Sequence, residues 1–130
     1  MSATHSVTAH PERDLLRITL SGFFGPADVE SFDAARRAAH AQLTCRRNQH
    51  LTLVDVTDMK LQAQEVVALF RRMIAEPGTR ARRLALVTGC SVIRMQVRRL
   101  LERDDIACFA DAVEAEAWLL APPAGHRLAG

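Results

Sequence analysis

Leu51-Thr52-Leu53-Val54-Asp55-Val56-Thr57-Asp58-Met59-Lys60, running on into Leu61 to Phe70, is the stretch that decides how this chain folds. Leu51 to Val56 is an apolar run of strand length, and it ends in the acidic loop Asp58-Met59-Lys60. A helical pattern follows from Gln62 to Met73, with Val66, Val67, Phe70, Met73 and Ile74 on one stripe, and Glu76-Pro77-Gly78 closes it. A buried strand that brings carboxylates and hydroxyls to the start of a helix is where open α/β domains place function.

The pattern repeats outward in both directions. Before it, Ser6 to Ala9 and Leu15 to Leu20 read as two strands joined by the turn-rich His10-Pro11-Glu12-Arg13-Asp14. Leu16, Ile18 and Leu20 alternate with Arg17 and Thr19, which predicts one buried and one wetter face. Ser21 to Pro26 breaks that strand and suits a helix start. Val29, Phe32, Ala35, Ala39 and Leu43 then recur at helical spacing over about 27–43. After the deciding stretch, Leu84 to Val87 is a continuous apolar run, as expected of a strand covered on both faces. Thr88-Gly89-Cys90-Ser91 turns into a helix carrying Ile93, Val97, Leu100 and Leu101. Ile106 to Phe109 predicts a last strand. Asp111 and Glu114 have capping-box spacing for a last helix that buries Val113, Ala117 and Leu120, with Trp118 closing one edge. Pro122 and Pro123 stop it. The expected order is β-β-α-β-α-β-α-β-α: an antiparallel opening hairpin, then right-handed crossovers building a mixed, mostly parallel five-stranded sheet with four helices. One domain over 1–121 with a loose tail over 122–130 accounts for the whole length.

Composition narrows the function classes. With 48% apolar and 25% charged residues the chain reads as an ordinary globular protein, and no apolar run approaches the ~20 residues needed to span a bilayer. The start, Met1-Ser2-Ala3-Thr4-His5, lacks the layout of a secretory signal, so a cytoplasmic location is expected. Cys45, Cys90 and Cys108 are odd in number and form no CxxC pair, and no His lies at ligand spacing from them; neither a metal nor another cofactor is implied. Cys108 reads as a small core residue, whereas Cys90 falls at a helix start, where thiol pKa values tend to drop. The basic residues are 16 Arg and the single Lys60, a usage that, with no Tyr, suits a GC-rich bacterial genome. Nine of these Arg lie in 71–103 against Glu76 and Glu102, a local basic excess within a net charge of only +2. That balance and the scarcity of aromatic residues argue against nucleic acid. A basic face of Arg71, Arg72, Arg94, Arg98 and Arg99 could still attract an acidic protein partner. Its plainer reading is a solvated surface with pairs such as Arg72–Glu76 and Arg98–Glu102.

On the opening hairpin Leu15 to Gly22, the strand Leu53-Val54-Asp55-Val56-Thr57 and the element order after them, the chain resembles the STAS domain of anti-sigma-factor antagonists and the bacterial SpoIIAA-like proteins. The resemblance implies a non-enzymatic regulatory domain. Regulatory members carry a phosphorylatable Ser or Thr at the start of the helix after this strand. Here that stretch is Met59 to Glu65, with no hydroxyl and no Gly, so a switch at the usual position is not expected. Asp55 matches an acidic position common near the strand end in the family, where a loop-orienting role is expected.

Two strand ends remain as a candidate binding edge for a protein partner or small ligand: Asp55, Thr57, Asp58 and Gln62 on one, and Thr88, Gly89 and Ser91 on the other. Ser91 is expected to cap its helix, and no His stands as a general base beside it. The rival reading is a metal-dependent hydrolase or phosphoryl-transfer enzyme using Asp55 and Asp58. Neither the Asp-x-Asp of a phosphatase loop nor the extra acids and Lys of a receiver site are present. Oligomeric state is not legible.

Overall fold

A computed structural model describes residues 2–100 and 105–121, with side chains over 2–95 and 105–121. The strands are β1 (Thr4–His10), β2 (Leu15–Ser21), β3 (Leu51–Asp55), β4 (Arg83–Val87) and β5 (Ile106–Phe109), and the helices α1 (Pro26–His40), α2 (Gln64–Ala75), α3 (Ser91–Leu100) and α4 (Ala112–Leu120). They form one five-stranded sheet in the order β1-β2-β3-β4-β5, antiparallel between β1 and β2 and parallel thereafter. The expected order of elements stands, with shifted ends. α1 begins at Pro26, whose fixed φ suits the first helical position, and the Asp28 carboxylate accepts from the Gly25 N–H at 2.8 Å. It stops at His40 rather than near Leu43, and a turn follows.

Side-chain alternation divides the core in two. Ile18, Leu20, Val56 and Leu86 face one side, where they meet Phe24, Val29 and Phe32 at α1 and Val66 of α2. Ile93 packs against the same cluster, placing α3 on that side as well. Leu15, Leu51, Leu53, Ala85 and Val87 face the other side, under Ala115 and Leu119 of α4. Thus β3 and β4 are covered on both faces, which is why they read as continuous apolar runs, whereas β2 keeps Arg17 and Thr19 on the wetter face that its alternation predicts.

α4 lies rotated from the expected stripe. Ala115 and Leu119 are fully buried, whereas Val113 is 76% exposed, Leu120 is 48% exposed and Ala117 faces water. Asp111 does cap the helix, accepting from the N–H groups of Val113 at 2.6 Å and Glu114 at 3.4 Å. Polar contacts set the rotation: Glu116 accepts from Arg13 and Arg17, and Arg83 donates to the Trp118 carbonyl while its guanidinium lies 5.2 Å from the Trp118 ring centre.

α2 leans on α1 more than on the sheet. Of its apolar stripe only Val66 is fully buried. Val67, Phe70, Met73 and Ile74 are half-buried and line a cavity of about 180 Å³ against β2, β3 and β4. The far end of α2 is tied to α1 by charge. The buried Arg36 donates to Asp33 Oδ1 at 2.7 and 3.1 Å and to Thr79 Oγ1 at 2.9 Å, while Arg37 bridges Asp33 and Glu76. The expected Arg72–Glu76 pair is therefore replaced, because Glu76 turns to α1. No described helix is long and apolar enough to cross a membrane. The expected Arg98–Glu102 pair, the Val97-Leu100-Leu101 stripe and the loose tail over 122–130 lie outside the described residues.

Candidate functional site

Parallel strands bring their C-terminal ends to one edge, and three loops meet there. Asp55 stands opposite Val87 in the β3–β4 register, and the Val56 N–H donates to the Val87 carbonyl at 2.9 Å. Thr57-Asp58 and Thr88-Gly89 are thereby neighbours, as the candidate edge requires. The β2–α1 loop joins them: Gly22 donates to the Asp58 carbonyl at 3.1 Å and accepts from the Lys60 N–H at 3.0 Å. Gly22 has φ +84°, and a Cβ there would stand 2.3 Å from the Ser2 carbonyl oxygen, so only glycine fits.

Several candidate side chains are occupied in shaping these loops. Asp55 Oδ1 accepts from the Thr57 N–H at 3.0 Å and from the Thr57 hydroxyl at 2.6 Å, an Asx-type turn. Gln62 lies before α2 instead of within it, because its side chain staples two loops: Oε1 accepts from the Phe24 N–H at 2.8 Å, and Nε2 donates to the Gly22 carbonyl at 3.0 Å. The helix accordingly starts two residues later than expected. Thr88 is wholly buried, and its hydroxyl accepts from the Cys90 N–H at 3.1 Å. Ser91 does not stand at the cap position. The Cys90 carbonyl accepts the first helical N–H, that of Arg94, at 3.0 Å, which makes Ser91 the first helical residue.

Thr57, Asp58, Gly89, Cys90 and Ser91 are left exposed at the edge. Around them stand apolar side chains that sequence reasoning did not single out: Phe23 (49% exposed), Leu61 (56%) and Val92 (52%), with Met95 one turn further along α3. A signal was present in the Phe23-Phe24 pair, of which only Phe24 can enter the core, and in Leu61, an apolar residue off the α2 stripe.

Of the candidate Arg face, only Arg71, Arg72 and Arg94 have described side chains. Arg71 and Arg72 are exposed on α2, but Arg94 folds back to the edge, donates to the Thr88 carbonyl at 3.3 Å and buries an Nε that has no partner among the described residues. The side chains of Arg98 and Arg99 lie outside the described residues. Cys108 is half-buried against the first core cluster, and Cys90 is exposed. Among the described residues no three His, Cys, Asp or Glu side chains are grouped so as to hold a metal ion.

No known family's sequence pattern matches the chain, and no curated protein matches it. Solved structures do. One is an uncharacterised protein with a SpoIIAA-like fold from Shewanella loihica PV-4, 15% identical, with a TM-score of 0.74 over 92% of this chain and 96% of that one. Another is an anti-sigma factor antagonist from Mycobacterium paratuberculosis, 10% identical, with a TM-score of 0.63 over the same shares, 92% and 96%. The fold of this chain is that of STAS-like, SpoIIAA-like domains.

Proposed function

We propose that the chain is a non-enzymatic, cytoplasmic STAS-like regulatory domain that binds a protein partner across the C-terminal ends of β2, β3 and β4. One observation carries this reading: two hydrogen-bonded loops and the start of α3 present exposed Phe23, Leu61 and Val92 together with exposed Thr57, Asp58 and Ser91. Exposed apolar side chains interspersed with polar groups are the composition of a protein docking surface. The likeness to an anti-sigma factor antagonist, whose description names a protein target, supports a partner of that kind. Metal-assisted phosphoryl transfer finds no support, since Asp55 is turned to Thr57 and no metal cluster stands among the described residues.

The test is capture of the partner from native lysate at two salt concentrations. Asp58→Ala, Ser91→Ala and Leu61→Glu should each reduce capture several-fold, with weak dependence on salt. Docking on the Arg71–Arg72 surface would survive these changes and fall steeply with ionic strength, because exposed charges are screened beyond ~8–10 Å at 0.1–0.15 M salt. Full capture by all three variants would remove the edge from consideration.

A further inference from the structure

The cavity under α2 has the features of a ligand site; it runs inward beneath the helix and shares Leu61 and Gln62 with the docking edge at its mouth. Protein interiors close-pack, and voids larger than a water molecule are few. An apolar cavity of roughly 150 Å³ suffices to take up benzene, and this one measures about 180 Å³. Its wall is almost wholly apolar, with Ile18, Val54 and Leu86 on the sheet side and Val67, Phe70 and Met73 on the helix side. It reaches the surface at the β3–α2 loop, where the exposed Lys60, Leu61 and Arg71 line it.

Charge distinguishes the two ends. At the inner end Arg36 is already neutralised by Asp33 and bonded to Thr79, so it has no demand for an outside anion. At the mouth Lys60 and Arg71 take part in no ion pair among the described residues, and no described acidic side chain lines the cavity. We propose that this cavity binds one small amphipathic anion, an aliphatic or arylalkyl carboxylate, with its apolar body between α2 and the sheet and its carboxylate at Lys60 and Arg71. A single ring with a short side chain, or a medium-length acyl chain, fits the volume. A longer chain would have to displace α2 from the sheet.

The purified full chain tests this without any protein partner, so its outcome is separate from that of the docking edge. Titration calorimetry and thermal melts would use octanoate and 3-phenylpropionate, with octylamine as the cationic control. Saturable binding of either carboxylate with a rise in Tm is expected, and octylamine should bind at least about tenfold more weakly, since an opposite charge strengthens a hydrogen bond and a like charge repels. Arg71→Glu and Lys60→Glu, both on the surface and harmless to folding, should each weaken octanoate about tenfold while leaving 1-octanol unchanged. Val67→Phe should fill the space, raise Tm and abolish binding of octanoate and octanol alike. No saturable binding of either carboxylate would overturn the proposal. So would equal affinity for octylamine, or undiminished octanoate binding in both mouth variants.

Discussion

At the level of single residues, the acid stability of this protein centres on His50. It stands just before β3, 1% exposed, with its ring edge-on to His40 at 4.7 Å between centres. Burial strips water from the charged imidazole, and the positive charge of His40 and Arg36 opposes it further, so its pKa is pushed down to about 4. The unfolded chain takes up this proton near the ordinary 6.5, whereas the folded one waits until about 4. Between those values the unfolded state binds more protons, so stability falls as pH falls, by at most about 3 kcal/mol. His40, its pKa also lowered, first by burial and then by Arg36 and Arg37, adds to the same trend. Asp33 acts in a lower window. Burial alone would raise its pKa, but hydrogen bonds and charge from Arg36 and Arg37 outweigh that, and the stability it contributes is lost only below about its ordinary 3.8. Urea melts at pH 7, 5.5 and 4 should show the decline, and His50→Phe should flatten it between 6.5 and 4. A variant as acid-labile as the parent would place the effect elsewhere.

At the level of elements, α4 separates what periodicity can reveal from what it cannot. The segment Ala112 to Leu120 is apolar on nearly every side, so stripes through 113-117-120 and 112-115-119 are equally regular. The structure selects the second, because only that rotation lets Glu116 reach Arg13 and Arg17 while Trp118 lies under Arg83. Leu119→Ala should therefore cost about 2–5 kcal/mol through the cavity it leaves, and Leu120→Ala under about 0.5 kcal/mol. Thermal or denaturant unfolding of the two variants side by side decides the matter; equal losses would mean α4 rolls on the sheet. α2 shows a milder version of the same limit. Its stripe faces the core, yet periodicity alone does not reveal that only Val66 is fully buried there while Val67, Phe70, Met73 and Ile74 line a cavity.

At the level of the whole molecule, the STAS-like scaffold is present while the residues Met59 to Glu65, where regulatory members carry their phosphate, offer no hydroxyl. Intact-mass spectrometry of protein from its native cells should show no stoichiometric phosphate at this helix start. A full phosphate on Thr57 would restore the switch, since that hydroxyl now donates to Asp55 and its modification would break the turn. The strand sequence, the one wetter face of β2, the two-faced burial of β4, the hairpin start and the adjacency of the β3 and β4 ends could all be read from residue order. Periods of two and 3.6 and short connections suffice for them. Contacts between residues far apart in the chain could not be read. Gln62 reads as a helical residue, but the carbonyl of Gly22 and the N–H of Phe24 claim its amide, and no local pattern marks Arg36 for burial under Thr79 and Asp33. The cavity under α2, the rotation of α4 and the exposure of Phe23 and Leu61 are likewise balances among distant groups. Local propensity and periodicity determined the elements and their order, and only tertiary packing decided which faces, loops and voids the protein presents to a ligand or partner.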